Sequence, residues 1–404
     1  MSGEEIVRLA ARGDGVTAGG GFVPFAAPGD LVAADGTLTP GPHRARPPCR
    51  HFPECGGCQL QHIDDAAYGD FLRDRIASAL AAQGLAVPEI LAPHISPPNS
   101  RRRASLKAAK MLGRTSIGFN AEKSHKIVDM RECHILRPEL FALVEPVRSL
   151  LGQLFAARDS ARIQMTLADQ GVDLAIEGFH RHGLASAERL AAFSDAHRLA
   201  RLGVDDGGGP ETRWEPEPVT VTLGGLPVPL PQGAFLQATA EGEEALVGAV
   251  RQAVGASPVV ADLFAGLGTF ALALEGRVLA AEGSRDAALA LKAAANRSGR
   301  QVFVDHRDLF RRPLSVKELD RFEAVVLDPP RAGAREQAAE LARSAVPRIA
   351  FVSCNPATFA RDARTLADGG YRLDWVKPVG QFRWSTHVEL VGAFSREGGR
   401  RAAP

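Results

Sequence analysis

The C-terminal half of the chain alternates short apolar runs with helical patterns, and this alternation constrains the fold more than any other feature. The runs V-V-A-D-L-F, R-V-L-A-A-E-G, Q-V-F-V-D, A-V-V-L-D-P-P and R-I-A-F-V-S-C-N-P are separated by segments such as 286–297 and 357–368, which have helical spacing. Continuous apolar strands that alternate with helices are typical of a parallel sheet covered on both faces. The sequence therefore predicts an α/β domain over residues 233–404.

The N-terminal half predicts two further units. Residues 1–45 hold short β-like pieces between glycines, such as G-G-G-F-V-P-F and G-D-L-V-A-A, which indicate a small β module. Residues 46–232 begin with a stretch rich in proline and cysteine, and a helical pattern follows near residues 66–83. Strand-like runs, H-K-I-V-D-M among them, and Gly or Pro turns then fill most of the segment. We expect an α+β central domain there.

Composition excludes some classes of protein. The 404 residues are 45% apolar and 24% charged, which is ordinary for a folded protein, and the formal net charge is only +1. That charge argues against a nucleic-acid binder that relies on bulk charge, although a local basic face stays open. The sequence has no apolar run of membrane-spanning length and no signal-peptide pattern, so we expect a cytoplasmic protein without an obligate protein partner.

Acidic residues stand at the ends of four consecutive predicted strands: Asp262, Glu282, Asp308 and Asp328. The first precedes a glycine turn, A-G-L-G-T, which we expect to open a helix. Because parallel strands end at one edge of a sheet, where such sheets bind ligands, these acids should line one pocket. A dinucleotide is the alternative ligand, but the third glycine of G-x-G-x-x-G is missing and an acidic rim would repel phosphates. The positively charged sulfonium of S-adenosylmethionine fits better.

Cys354 ends the strand after Asp328 and stands far from the other four cysteines. Its position at the same sheet edge suggests a nucleophile, and the helix after it is expected to help stabilise a thiolate. The alternative is a small buried hydrophobic residue. Glu389, in T-H-V-E-L-V-G-A-F, lies within an apolar strand, where burial should raise its pKa and suit it to act as a general base.

The motifs D-L-F-A-G-L-G-T-F, D-P-P-R-A-G, S-C-N-P-A-T-F-A-R-D and H-V-E-L-V, in this order, resemble the RNA uridine-C5 methyltransferase family. The resemblance implies a Rossmann-like methyltransferase domain, with Cys354 as nucleophile and Glu389 as proton acceptor. It also implies a set of S-adenosylmethionine contacts: Gln237, Phe264, Thr269, Glu282, Asp308 and Asp328. The chain departs from the family pattern at two places, since Ala238-Thr239 follows Gln237 where Val-Asn is usual, and Thr269 replaces Asn.

The other four cysteines are Cys49, Cys55, Cys58 and the distant Cys133. Four thiolates suit tetrahedral zinc or a [4Fe–4S] cluster, and three clustered ligands with one remote ligand favour the cluster. The segment C-G-G-C-Q-L-Q-H also resembles the cluster site of the bacterial 23S ribosomal RNA members of the family. We expect such a cluster to be structural or to orient RNA.

RNA is the expected partner. The basic stretch S-R-R-R-A-S-L-K-A-A-K, with Arg114, is a candidate phosphate-contact strip, and residues 4–34 resemble the first strands of a TRAM RNA-binding barrel. The leading prediction is a 5-methyluridine methyltransferase acting on 23S rRNA. The alternatives are the T-loop uridine of tRNA, a redox or radical iron–sulfur enzyme, and a non-catalytic iron–sulfur RNA-binding protein.

Overall fold

The N-terminal residues form a small antiparallel sheet in the computed structural model, which describes residues 3–178 and 183–396. Its strands run in the order β3-β2-β1-β4-β5. Their bounds are β1 (Glu4–Leu9), β2 (Gly15–Thr17), β3 (Phe22–Val23), β4 (Leu31–Val32) and β5 (Leu38–Thr39). Ile6 and Ala26 are fully buried in this sheet. The β pieces that the glycine-punctuated sequence predicts are therefore present.

The central part of the chain contains a mixed sheet and several helices. Its first helix, α1 (Asp65–Ala82), is capped by Asp64 and followed by Gly84. The strands run in the order β13-β12-β11-β10-β8-β9. The bounds are β6 (Glu89–Ile90), β7 (His94–Ile95), β8 (Arg103–Met111), β9 (Arg114–Gly118), α2 (Pro138–Ala142), α3 (Val144–Leu154), β10 (Ser160–Ala168), β11 (Gly171–Glu177), α4 (Leu184–Ala196), β12 (Arg201–Asp205) and β13 (Pro210–Trp214).

Two details of this region differ from the sequence prediction. The H-K-I-V-D-M segment is not a regular strand. It runs beside the end of β9, where the N–H groups of Val128 and Met130 bond to backbone carbonyls and Ile127 forms a single isolated bridge. The sequence predicts strand and turn where helix α4 lies. The buried side of α4 is narrow, with only Leu190 and Ser194 fully covered, so its apolar periodicity is weak.

The C-terminal part contains the predicted parallel sheet, which runs in the order β18-β17-β16-β19-β20-β22-β21-β6, with β7 also on β21. The first five strands are parallel, and β22 is antiparallel to both neighbours. The bounds are β14 (Thr220–Leu223), β15 (Leu226–Pro229), α5 (Ala240–Val254), β16 (Val259–Leu263), β17 (Arg277–Glu282), α6 (Arg285–Ser298), β18 (Val302–His306), α7 (Val316–Leu319), β19 (Ala324–Leu327), α8 (Arg335–Arg343), β20 (Arg348–Ser353), α9 (Pro356–Asp368), β21 (Arg372–Gly380) and β22 (Glu389–Ser395).

Both faces of this sheet are covered, as predicted. One face packs with α1 and α9 around Phe351 and Phe359, and the other packs with α5 and α6 around Leu246 and Leu291. The predicted α/β fold is thus confirmed. In the described part of the chain, no helix is both long and apolar enough to cross a membrane.

The prediction of a helix directly after the glycine turn is wrong. Residues 264–273 form a series of turns, and β17 begins at Arg277. Helical hydrogen bonds form there only singly, from the N–H of Leu272 to the Gly268 carbonyl and from the N–H of Leu274 to the Phe270 carbonyl. The buried Asp262 carboxylate accepts the N–H of Ala271 at 2.8 Å, which ties the end of the turns to the strand.

Candidate active site

Cys354 and Glu389 meet at the edge where β20 and β22 run side by side. The antiparallel ladder pairs Ser353 with Leu390 as its last position, so its continuation places Cys354 opposite Glu389. In a regular ladder, opposite residues lie about 5 Å apart at their Cα atoms and project to the same face. Asp328, directly after β19, raises the pKa values of both groups through its negative charge. The structure therefore brings the predicted nucleophile and the predicted base together beside one acid of the rim.

Burial dominates the electrostatics of these three groups. Glu389 is 7% exposed, and burial together with Asp328 raises its pKa to about 8, which confirms the direction expected from the sequence. Burial also raises the pKa of Asp328 to about 7. The pKa of Cys354 rises to about 11 through burial and the two carboxyls, against the opposing effect of Arg331. The direction of this shift is opposite to the thiolate stabilisation expected from α9, because burial and two nearby carboxyls favour the neutral thiol.

The S-C-N-P-A-T-F-A-R-D motif anchors the D-P-P-R-A-G loop. Asn355 and Thr358 each donate a hydrogen bond to the Arg331 carbonyl at 3.3 Å, and Arg361 donates to the Ala332 carbonyl at 3.1 Å. The fully buried Asp362 carboxylate accepts the N–H of Ala334 at 2.8 Å. One face of α9 thus holds the loop after Asp328, and the two motifs form a single rigid wall of the site.

The acid-lined edge is present, and three of its four predicted acids interact. Asp262 is fully buried, and its pKa is raised well above the usual range by burial first, then by Asp328 and Glu282. Its Oδ1 atom has no hydrogen-bond partner in the described structure. Glu282 accepts the N–H of Gly266 at 2.7 Å and so faces the glycine turn.

Asp308 lies farther along the same edge, beside an aromatic pair. Its carboxylate accepts the N–H of Phe310 at 3.0 Å. The rings of Phe264 and Phe310 lie 5.3 Å apart, and Phe310 is 44% exposed. Phe264 has φ of 64°, a left-handed backbone conformation that non-glycine residues rarely adopt, and it directly follows β16. Thr269 is half-buried in the turns that follow.

Gln237 is buried on the opposite side of the site, on the segment that enters α5. Arg102 donates to its backbone carbonyl at 3.0 Å and forms an ion pair with Glu243 at 2.6 Å. The guanidinium of Arg103 stacks 4.6 Å above the ring of Phe235, which is 61% exposed. Arg103 also has a pKa lowered to about 10, chiefly by burial and by Arg101, and Glu389 is the acid that opposes this shift. Sequence reasoning missed both the Arg103–Phe235 pair and its proximity to Glu389.

The basic stretch does not act as one surface. Along β8, Ala104, Leu106 and Ala108 face the core, while Ser105 and Lys107 face outward. The ladder with β10 sets Lys107 directly opposite the exposed Arg162, which forms an ion pair with Glu177 at 3.2 Å on the same open side. Other members of the stretch are engaged elsewhere: Arg102 with Glu243, Lys110 with the carbonyls of Gly152 and Phe155, and Arg114 with Asp129. The basic face is therefore narrower than predicted, and it runs along the open side of the sheet from Arg103 through Lys107 and Arg162.

The four remaining cysteines line one small cavity, and Cys133 joins the other three from a distant part of the sequence. All are free thiols. Burial raises the pKa of each thiol, to about 12 for Cys58. The charges of neighbouring cysteines add to the rise for Cys49, Cys55 and Cys58, and the charge of Glu132 adds to it for Cys133. Over residues 3–178 and 183–396, no group of three or more His, Cys, Asp or Glu side chains is arranged to hold a metal ion. The structure thus shows convergence of the four cysteines and no formed metal site.

The Q-L-Q-H segment supports the wall of this cavity. Gln59 donates to the Gly56 carbonyl at 2.8 Å, and Gln61 accepts the N–H of Cys49 at 3.3 Å. The ring of His62 stacks on Phe52, and burial lowers its pKa to about 4. Gln59 and Leu60 donate their N–H groups to the carbonyl of Trp384, in the loop between β21 and β22. The cysteine cavity therefore adjoins the loop that leads to Glu389.

Comparison with known proteins shows which families and chains this protein resembles. Residues 230–396 match the family described as tRNA (Uracil-5-)-methyltransferase. An uncharacterized RNA methyltransferase of Zymomonas mobilis is 54% identical over 97% of this chain and 100% of its own length. The 23S rRNA (uracil(1939)-C(5))-methyltransferase RlmD of Thiobacillus denitrificans is 32% identical over 89% of this chain and 87% of its own.

A solved structure extends the likeness to the whole fold. Pyrococcus abyssi tRNA (uracil-54, C5)-methyltransferase, in complex with S-adenosyl-L-homocysteine, superposes with a TM-score of 0.75 at 24% identity. The match covers 97% of this chain and 99% of that one, and it confirms the predicted methyltransferase fold. With the two sequence relatives, it identifies the protein as an enzyme: the chain belongs to the family of RNA uracil-C5 methyltransferases.

Proposed function

We propose that the enzyme transfers a methyl group from S-adenosylmethionine to C5 of a uridine in 23S ribosomal RNA. The observation that carries the proposal is the placement of Cys354 opposite Glu389, beside an acid-lined sheet edge. The similarity to RlmD over most of both chains favours ribosomal RNA as the substrate. This substrate would make the cytoplasm the place of action.

The proposed reaction uses Cys354 as the nucleophile. The thiol first loses its proton to water, and the thiolate sulfur adds to C6 of the uracil. The electron pair of the C5–C6 double bond moves toward O4, so that C5 becomes nucleophilic. S-adenosylmethionine supplies an electrophilic methyl group and leaves as the neutral thioether when C5 attacks. Glu389 then removes the C5 proton, the C5–C6 double bond re-forms, and the sulfur of Cys354 departs as a thiolate. The target base must leave its stack to reach the buried thiol.

Before the cofactor binds, Cys354 and Glu389 are in the protonation states opposite to those that the reaction needs. With pKa values of about 11 and about 8, Cys354 and Glu389 both hold protons at neutral pH in the unliganded protein. A sulfonium beside Asp328 and Glu389 favours the ionised carboxylates, because an opposite charge within a few ångströms lowers a carboxyl pKa. We therefore propose that cofactor binding prepares Glu389 to act as a base.

The proposed contacts to the cofactor follow the sheet edge. Asp262, Glu282 and Asp328 surround the glycine turn, while Phe264, Phe310 and Asp308 form a partly exposed aromatic and acidic wall suited to an adenosine. Gln237 and Thr269 complete the proposed set from opposite sides. Flat aromatic rings and carboxylates suit a base and ribose hydroxyls, respectively.

The proposed RNA surface is the open side of the central sheet. Arg103, Lys107 and Arg162 share this side, and Arg103 reaches the entrance beside Phe235 and Glu389. Basic side chains position a nucleic acid through its phosphates. A guanidinium stacked on an exposed aromatic ring offers a flat surface to an unstacked base.

We further propose that Cys49, Cys55, Cys58 and Cys133 hold a [4Fe–4S] cluster. Four thiols around one cavity, with Cys58 buried and the other three half-buried, fit the donor set. Thiolates crowded together need a positive metal centre for compensation. The cluster would supply structural support rather than redox chemistry. Cys58 and Cys133 pack with Trp384, so a cluster there would stabilise the loop that precedes Glu389.

The test is transfer of labelled methyl groups to total RNA from cells that lack the protein, followed by mapping of the labelled base. We expect 5-methyluridine at a single region of 23S rRNA. Label confined to tRNA would show that tRNA is the substrate and would leave the proposed reaction unchanged. Label on cytosine, or no label with folded protein, would contradict the proposal.

A further inference from the structure

A buried glutamine, Gln381, joins the proposed cofactor contact to the proposed base. It directly follows β21 and is 1% exposed. Its Oε1 atom accepts the N–H of Ala238 at 2.8 Å, and its Nε2 atom donates to Oε1 of Gln237 at 2.8 Å. On the neighbouring strand, Glu389 pairs with Val379, two positions before Gln381. The three side chains therefore lie at one end of the β21–β22 hairpin.

These contacts fix the orientation of two amides. The N–H of Ala238 can only donate, so the carbonyl oxygen of Gln381 must face it and the NH₂ group must face the other way. The Gln381 NH₂ group then requires an acceptor, which is Oε1 of Gln237. The Gln237 NH₂ group is consequently turned to donate elsewhere. In the proposed site, a cofactor carboxylate or a uracil oxygen is a suitable acceptor.

The same amide acts on Glu389. Gln381 stands two positions beyond the Val379–Glu389 pair, so the two side chains are diagonal neighbours on one face of the hairpin. Burial first and Asp328 next raise the pKa of Glu389, while the nearby amide of Gln381 and the charge of Arg103 oppose this rise. The other titratable group at this carboxyl is Cys354, at the end of β20. Because an amide N–H stabilises a carboxylate and not a neutral acid, Gln381 favours the basic form of Glu389.

The surrounding backbone is shaped to admit Gln381. A Cβ atom at Gly242, in the first turn of α5, would lie 2.7 Å from Cβ of Gln381 and 2.7 Å from Oγ1 of Thr239. Thr239 caps α5 through the N–H of Gly242 at 3.0 Å and contacts Ser96 at 2.8 Å. The Ala238-Thr239 departure from the family pattern therefore belongs to the packing around Gln381.

We propose that Gln381 is a positioning residue that sets the amide of Gln237 and the carboxylate of Glu389 together, so that cofactor contact and proton removal are coupled. This inference rests on the proposed function, since it assigns Gln381 a task in methyl transfer. It adds a residue that touches neither the transferred methyl group nor the uracil.

The test compares Gln381→Met with Gln337→Met. Methionine preserves the length of glutamine and removes its hydrogen bonds. Gln337 is also 1% exposed and also makes two buried hydrogen bonds, to the N–H and the carbonyl of Leu314, but it lies on α8 outside the site. Both variants should lose a similar free energy of unfolding. A difference in activity between them therefore reports on the place of the glutamine in the site.

We expect Gln381→Met to lower kcat by about tenfold to a hundredfold, as for a lost hydrogen bond to a charged group. The acidic limb of its pH–rate profile, which reports ionisation of Glu389, should move upward by about one pH unit. Gln337→Met should retain the wild-type profile. The double variant Gln237→Ala/Gln381→Met should be less impaired than the product of the single effects, because the two amides act as a unit.

A readout without turnover separates this inference from the proposed function. Carbon-13 NMR titration of Glu389 in the cofactor-free protein, assigned with Glu389→Gln, should show a higher pKa in Gln381→Met than in the wild type. An unchanged Glu389 pKa would overturn the role of Gln381. Absence of methyl transfer by wild-type protein would instead overturn the proposed function, and the titration would still decide whether Gln381 controls Glu389.

Discussion

Cys354 lies opposite Glu389 at the point where the β20–β22 ladder ends, one position beyond the Ser353–Leu390 pair. The two residues come from strands that are separated in sequence by α9 and β21. Because β22 is antiparallel to β20, its first residue meets the residue that follows the end of β20. The reversed final strand of the sheet is thus what places a carboxyl beside a thiol.

The raised pKa of Glu389 predicts a pH-dependent stability. A carboxyl that holds its proton more tightly in the folded protein favours folding at low pH, and this contribution is lost as pH rises from about 4.5 through about 8. The free energy of unfolding should fall across this window by up to about 1.4 kcal/mol per pH unit. Chemical denaturation of the cofactor-free protein measures it. Glu389→Gln, which cannot ionise, should show a flatter dependence, and equal slopes would contradict the assignment.

The open face of the central sheet predicts weaker RNA binding after removal of its cations. Lys107→Ala and Arg162→Ala should each weaken binding and reduce the salt slope of log K by about 0.7–0.9 for each phosphate that is no longer neutralised. Fluorescence anisotropy with a 23S rRNA fragment at several salt concentrations measures this. Lys292→Ala removes an exposed lysine on α6, away from this face, and should leave the slope unchanged. A slope altered equally by all three would indicate bulk charge instead.

The cysteine cavity predicts a metal centre that depends on four thiols and not on the fifth. Protein purified without oxygen should contain iron and sulfide, and Cys58→Ser should lose both together with thermal stability. Cys354→Ser is the matched variant, since it alters a thiol outside the cavity, and it should retain both. Zinc in place of iron and sulfide in the wild type would contradict the proposed cluster.

The loop after Asp328 predicts an unusual sensitivity at Gly333. This residue has φ of 83°, and a Cβ atom there would lie 2.5 Å from Arg361 and 2.6 Å from Asp362, the side chains that hold the loop. Gly299, at the end of α6, has φ of 67° with open space around it. Gly299→Ala should cost about 1–2 kcal/mol for backbone conformation alone. Gly333→Ala should cost more and also lower kcat, as measured by denaturation and methyl transfer. Equal losses of stability in the two variants would show that the contacts of Arg361 and Asp362 at Gly333 are unimportant.

Much of the catalytic domain was predictable because its signals are local. Apolar runs mark the strands, and the ends of parallel strands share one edge, so the order of strands is enough to gather Asp262, Glu282 and Asp328. The position of Cys354 at a strand exit followed from the same pattern. The Gly and Pro turns likewise located the short N-terminal strands.

The features that sequence reasoning missed depend on contacts between distant segments. Gln381 bonds to Gln237, which lies far earlier in the sequence of the same domain, and no local sequence pattern predicts that pairing. Consecutive arginines look equivalent in the sequence. In the structure, Arg102 forms an ion pair with Glu243, while Arg103 stacks on Phe235. The missing helix after β16 has a more local correlate, since the N–H of Ala271 bonds to the Asp262 side chain rather than to a helical carbonyl.

The most direct test of the proposed mechanism uses 23S rRNA transcribed with 5-fluorouridine, because a fluorine at C5 cannot be removed as a proton by Glu389. With S-adenosylmethionine present, the wild-type protein should form a denaturation-resistant adduct, and mass spectrometry should find the methylated nucleotide bound to the sulfur of Cys354. Cys354→Ala should form none while still binding the RNA. An adduct on another residue, or methyl transfer by Cys354→Ala, would contradict the proposed mechanism.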